Sequence, residues 1–328
     1  MRVVSLLPSA TEILAHLGAE DLLVGRSHEC DHPPTIADRP ILTTQRTAYD
    51  ADSPAPSRGV DAQVRAARAR GESLYTLDEA RLASLEPDLI LTQDLCDVCS
   101  IDLGTVRRVA ESLSPSPEVL SLNPETIEGV LDDVIRVGRA IGREGEAGRA
   151  VVELSGRLLR AQEHVNAYEQ GPVIGFMEWT DPVFVAGHWN VQLIERAGGR
   201  HPLNETIADA DAGAAAGLQQ GQRRAGKSIA VPSEVFAASR PEWLVIAPCG
   251  LNLEQARAEA ARLAEQAWFR SLPAVRNNRV ALVDGSQMFN RPGPRLVDAF
   301  EWLVGWVQGR PELMPEGFPW EGFLKFRT

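Results

Sequence analysis

No run of apolar residues in this chain approaches the roughly 18 that a helix needs to cross a bilayer. Lysine is nearly missing: Lys227 and Lys325 are the only two among 33 basic residues. Set against 45 acidic residues, this gives a net charge of −12 with no basic cluster. Nucleic acid and anionic membrane surfaces are thereby excluded as partners, because phosphate recognition begins with positive charge. There is no G-x-S-x-G, no P-loop, no G-x-G-x-x-G and no H-E-x-x-H, so none of the recognisable enzyme signatures applies. The N-terminus has no secretory pattern either. Its apolar run "VVSLLP" is short, carries Ser5 and stops at Pro8. The expected location is the cytoplasm. Cysteine is scarce, with Cys30, Cys96, Cys99 and Cys249 in 328 residues. In a reducing compartment such thiols are free or metal-bound rather than paired.

What is present is an alternation of strand and helix signals. "RVVSLLP" reads as a strand and "SATEILAHLG" as a helix, with Ser9 as cap, Glu12 completing a capping box and Gly18 as stop. "LLVGRS" and "PDLILTQD" are further strands, and "VDAQVRAARARG" is a helix closing on Gly71. From Pro124 to about Tyr168 no strand signal remains. Apolar residues there keep helical spacing, Asn123 and Pro124 suit a helix start, and Gly142, Gly145 and Gly148 break the middle. The piece from Glu146 could span about 30 Å. Strands return with "GPVIGFMEW", "PEWLVIAP" and "NRVALVDG", separated by the helical patterns "NVQLIERAGG" and "LEQARAEAARLAEQAWF" and closed by "RPGPRLVDAFEWLVGWVQG". Residues 207–226 and 43–59 read as long loops. The expected fold is α/β, with two parallel-sheet lobes joined by a long backbone helix. The lobes are residues 1–123 and 170–328, with linking helices over 124–169.

In parallel α/β sheets, ligands bind beyond the carboxyl ends of the strands. The residues that follow the strands are therefore the candidates. They include Ser9 after the first strand, and His28 and Cys30 in "HECDHPP" after the second. Cys96 and Cys99 follow "PDLILTQD" as a C-x-x-C, Cys249 follows "WLVIAP", and Arg291 follows the last strand. Glu178 and Trp179 end "VIGFMEW", and His188 and Trp189 follow in "FVAGHWN". Two indoles and an imidazole close in sequence suit a flat apolar ligand with a polar handle, or a hairpin packing its own aromatics. Imidazole also suits Fe, Co and Zn. The C-x-x-C is open to four uses: redox pair, ligand contact, packing, or a thiolate metal site with Cys30 and Cys249 for zinc or iron. Asp94 and Asp97 disfavour the thiolate and so the redox use. The thiolate site requires the "HECD" and "LCDVC" loops to meet.

Four stretches carry a family resemblance: "SLLPSATEILAHLGAEDLLVGRSHECDHPP", "LYTLDEARLASLEPDLILTQD", "FMEWTDPVFVAGHW" and "NRPGPRLVDAFEWL". They resemble the substrate-binding proteins of iron-siderophore and vitamin B12 importers, and more narrowly a branch labelled cobalamin-binding. The resemblance implies two lobes on a rigid backbone helix, with a small molecule in the cleft between them. It implies a cobalamin-type or other metal-containing ligand, contacted by Ser9, His28, Glu178, Trp179, His188, Trp189 and Arg291. For an exported member it also implies an ABC importer as partner. The rival expectation is a metal-binding enzyme or carrier built on the four thiols.

Overall fold

The computed structural model describes residues 1–94, 101–166, 169–209 and 223–323. Packing divides the chain into two units. One comprises Met1–Asp50, Gly59–Pro124 and Glu128–Leu154; the other comprises Ala51–Arg58, Glu125–Ile127 and Ser155–Thr328.

The first unit is built on strands β1 (Val3–Ser5), β2 (Leu23–Arg26), β5 (Leu89–Thr92) and β6 (Glu118–Ser121), in the order β2-β1-β5-β6 and all parallel. Between β2 and β5 in sequence, β3 (Thr43–Gln45) pairs antiparallel with β4 (Tyr75–Leu77). The side-chain period of two sorts the core into layers. Val3, Leu89 and Leu91 share a cluster with Ile13, Leu14, Val134 and Val137. Val4 and Ile90 pack with Leu42, Leu82, Val106 and Val109. Helix α1 (Pro8–His16) starts at its proline, whose missing N–H costs nothing in a first turn. Ser9 therefore lies inside the helix rather than at the cap, and Leu7, the actual cap, makes no side-chain bond. Gly18 ends the segment at φ +63°, as expected of a left-handed stop. The remaining helices begun in this part of the chain are α2 (Pro56–Ala69), α3 (Glu79–Ser84) and α4 (Leu103–Ser112). Helix α4 is capped by Asp102, which accepts from the N–H groups of Gly104 and Thr105.

The strand-free block forms two helices, α5 (Ile127–Ala140) and α6 (Glu144–Gln162), parted by Gly142 at φ +72°. Asn123 does not cap α5. Its Oδ1 accepts from the Asp94 N–H at 2.6 Å, and the helix begins at Ile127. Helix α6 carries the chain from the first unit into the second, as the expected joining helix.

The second unit holds β7 (Ile174–Thr180), β8 (Val183–Val185), β11 (Ile229–Val231), β12 (Trp243–Ile246), β13 (Val280–Val283) and β14 (Trp320–Gly322), ordered β11-β8-β7-β12-β13-β14. β7, β12 and β13 pair in parallel; β8 and β14 run against them, and β11, antiparallel to β8, runs with them. The second lobe thus keeps the expected parallel centre, and its antiparallel members make the sheet as a whole mixed. The cause is local: two residues, Asp181 and Pro182, join β7 to β8, and a link that short returns the chain as a hairpin. A further short pair, β9 (Ile207–Ala208) and β10 (Arg223–Arg224), closes the ends of one expected loop, whose residues 210–222 lie outside the described ones. Helices α7 (His188–Arg196), α8 (Ser233–Ala238), α9 (Leu253–Ala264), α10 (Ala267–Ser271), α11 (Pro273–Arg276) and α12 (Leu296–Val307) complete the unit. Buried aromatics lock α12 in place. Phe289 meets Phe176 edge-on at 5.2 Å and Trp302 at 5.9 Å, in the geometry that aromatic quadrupoles favour. Arg157 of α6 binds Asp298 and Glu301 of α12.

Candidate functional site

The second unit gathers its chemistry where β7 ends and α7 begins. Met177 pairs with Val185 and Trp179 with Phe184, so Glu178 is the extra residue of a bulge. Bulges re-aim side chains. Here the carboxylate is turned to accept from the Gly187 N–H at 3.3 Å, the Asn190 Nδ2 at 2.9 Å and the Ser228 hydroxyl. Burial raises the Glu178 pKa against the lowering effect of those three donors. One side chain thus ties the bulge, the start of α7 and the segment leading into β11.

His188 opens α7 at φ +48°, a conformation uncommon outside glycine. Its backbone N–H donates to the Gly226 carbonyl at 2.9 Å, and its ring stacks on Trp189 with centroids 5.7 Å apart. The imidazole is half-buried, and its Nδ1 is buried without a hydrogen-bond partner. Burial lowers its pKa; Glu125 nearby opposes that and Lys227 adds to it. The ring is therefore uncharged at neutral pH. Trp189 is buried, and its indole N–H is spent on the Phe289 carbonyl at 2.8 Å. Trp179 is half-buried and donates to the Ser57 carbonyl at 3.2 Å. Arg291 is buried one residue beyond the turn Met288–Asn290 that holds Phe289. The structure thus brings Glu178, His188 and Trp189 together, with Trp179 on the same strand as Glu178. Cys249 is exposed after β12, its N–H on the Glu178 carbonyl.

In the first unit, His28 follows β2. Its Nδ1 lies 2.8 Å from Thr43 Oγ1, its Nε2 is buried without a hydrogen-bond partner, and burial lowers its pKa. The Tyr75 ring is 5.7 Å away, and the Tyr75 hydroxyl donates to Glu29. Ser9 is buried in the first turn of α1. Cys30 is buried in an apolar cluster, where its sulfur accepts from Thr11 Oγ1 at 3.1 Å. Among the described residues no group of three or more His, Cys, Asp or Glu could hold a metal ion. Cys96 and Cys99, and with them the expected meeting of the two thiol loops, lie outside the described residues. The sequence reading missed Thr43, Asn190 and Ser228. They sit far from their partners in sequence, and no periodicity marks them.

The sequence profile of one family, described as "Periplasmic binding protein", matches residues 3–286. The chain is a member of the periplasmic binding protein family. Solved structures agree on the fold. The periplasmic heme-binding protein RhuT from a Roseiflexus species, in apo form, is 20% identical, with 94% of this chain and 98% of that one covered at a TM-score of 0.66. The periplasmic vitamin B12-binding protein BtuF of Vibrio cholerae is 19% identical, with 95% and 98% covered at 0.63. A structure titled as an ABC-type Fe3+-hydroxamate transport system, from Saccharomonospora viridis, is 19% identical, with 93% and 92% covered at 0.60. No curated protein matches. The expected cytoplasmic location is overturned, because the family is one of periplasmic binding proteins and the RhuT and BtuF relatives are titled as periplasmic. The apolar N-terminal run that lacked a leader pattern is β1 of the sheet, so it says nothing about export.

Proposed function

We propose that this periplasmic binding protein captures a metal-containing chelate of the cobalamin type outside the cytoplasm and passes it to an ABC importer. The family membership supports a binding role, and relatives titled as binding heme and vitamin B12 support the ligand class. The observation that carries the reading to residues is His188. It is an uncharged, half-buried imidazole with no hydrogen bond on its ring, fixed at a helix start by the Gly226 carbonyl and backed by Trp189. Such a ring offers a polar contact against the apolar face of Trp189, the mix expected of small-molecule sites, and Trp179 adds a second, half-buried indole on β7. The test is calorimetry with hydroxocobalamin, hemin and a ferric trihydroxamate. Hydroxocobalamin should bind most tightly, and Trp179→Ala should weaken it by about 1–3 kcal/mol, the scale of uncovering a large apolar side chain. Failure of hydroxocobalamin to bind, or an unchanged affinity in Trp179→Ala and His188→Ala together, rejects this ligand and this surface.

A further inference from the structure

The second unit takes in one short piece from far up the chain, Ala51–Arg58, which runs into the first turn of α2. Polar contacts fasten this piece at both ends, and both lead to one carboxylate, Glu259 on α9. At one end the Ser57 hydroxyl lies 2.8 Å from Thr180 Oγ1, and the Thr180 hydroxyl donates to Glu259 Oε2 at 2.8 Å. At the other end Arg262 donates to Glu259 Oε1 at 3.3 Å and to the Ala51 carbonyl at 3.1 Å. A surface pair, Arg58 with Asp181 at 3.0 Å, adds to the first end.

Ser57, Thr180 and Glu259 are 0%, 3% and 3% exposed. Burying three polar side chains adds little net stability over apolar packing, since their bonds replace bonds to water. What such a chain does supply is one fixed geometry, because each member must meet its partner at hydrogen-bond distance. The atom that this geometry places is the Ser57 carbonyl oxygen. It accepts the indole N–H of Trp179 at 3.2 Å, and Trp179 and Thr180 are consecutive residues of β7. The indole is held at its N–H edge, while the residue stays half-buried and open in part to solvent. A ring held in this way has already lost the freedom that a ligand would otherwise have to freeze.

We infer that Glu259 is a positioning residue for ligand binding. Through Thr180 and Ser57, and through Arg262 and Ala51, it sets residues 51–58 so that the Ser57 carbonyl holds the Trp179 ring ready for the apolar face of the cargo. This rests on the reading of Trp179 as a ligand-binding surface and adds to it. Glu259 acts on affinity without touching the ligand.

The experiment has two arms. The first uses the full chain labelled with 15N-tryptophan, without ligand, and follows hydrogen exchange of the indole N–H groups by NMR. The Trp179 signal is the one missing from Trp179→Phe. Thr180→Val keeps the side-chain shape and removes the hydroxyl between Ser57 and Glu259. It should speed exchange at Trp179 by about fivefold, the worth of roughly one hydrogen bond, and Thr180→Ser should restore protection. Ser57→Ala, which cuts the link from the other side, should act as Thr180→Val does. So should Glu259→Gln, whose single amide oxygen cannot serve both Thr180 and Arg262. The indole of Trp189, bonded to the Phe289 carbonyl, is the internal control and should not change. Unchanged exchange at Trp179 in these variants, or an equal rise at Trp189, overturns the inference.

In the second arm, hydroxocobalamin affinity is measured by calorimetry. Thr180→Val should lose about fivefold and Thr180→Ser less than about twofold. Trp179→Phe has no indole N–H for Ser57 to hold. Adding Thr180→Val to it should therefore lose less than about twofold more, because coupled residues are not additive. A full further loss in that background assigns Thr180 to general support of the fold and overturns the positioning role. If hydroxocobalamin does not bind the wild type, the functional reading fails, while exchange at Trp179 still decides whether Glu259 sets the ring.

Discussion

Glu178 occupies the bulge of β7 with three donors on one carboxylate: the Gly187 N–H, Asn190 Nδ2 and the Ser228 hydroxyl. Glu178→Gln should be nearly silent. The amide oxygen can accept from Gly187 and Asn190, and the amide nitrogen can donate to Ser228, as a protonated Glu178 would. Glu178→Ala removes the shared acceptor and leaves those groups without it. A loss of about 2–4 kcal/mol in urea unfolding is expected, since stranded buried donors cost about 1–3 kcal/mol each and relax in part. Equal stability of the two variants would show that the carboxylate is not the hub. Glu178 and His188 were legible in the sequence because they follow strand signals, and strand ends are where α/β folds place ligands. Their supporting cast was not legible. Ser228 reaches Glu178 across 50 positions, and Thr43 reaches His28 across 15, with no pattern of spacing to announce either.

At the scale of elements, strand and helix existence followed the hydrophobic period, while boundaries followed chemistry that the period does not contain. Helix α1 was read two residues late, capped at Ser9 instead of Leu7, because proline at the first position outranks serine as a start. The hairpin of β7 and β8 was offered by the sequence only as an alternative to a ligand surface, because its return strand is only three residues long. Gly187 sits where these elements converge, and its need for hydrogen at Cα is steric. A Cβ there would lie 2.2 Å from the Ser228 nitrogen and 2.5 Å from the Lys227 carbonyl carbon, both backbone atoms that cannot rotate away. Gly187→Ala should therefore push residues 226–228 from the start of α7 and break the His188 N–H to Gly226 bond. The expected result is a destabilisation of about 1–3 kcal/mol, typical of overpacking, together with weaker hydroxocobalamin binding. Wild-type stability and affinity in this variant would mean that the contact is slack and that His188 is not held by it.

For the whole molecule, buried titratable groups set opposing dependences on pH. His28, His188 and His201 all have pKa values lowered by burial. Their contribution is full above the ordinary histidine value of 6.5 and is lost as pH falls from there through the lower folded values. Buried carboxylates act the other way. Asp133 on α5 is pushed up to about 6 by burial, against the pull of Arg136, whose guanidinium lies 2.6 Å from one oxygen while the other oxygen is buried without a hydrogen-bond partner. The folded chain holds that proton more tightly than the unfolded chain does. The Asp133 contribution is thus full below the ordinary value of 3.8 and is lost as pH rises through about 6. Asp133→Asn isolates it. The amide oxygen keeps the bond to Arg136, and the titration is gone. Urea unfolding of both proteins from pH 4 to pH 7 should show the variant gaining on the wild type by on the order of 2–3 kcal/mol across that range. The acid-side loss driven by the histidines should persist in both. A difference between the two proteins that stays constant with pH would mean that Asp133 titrates as an ordinary carboxylate, and that water or a shift of Arg136 reaches its second oxygen.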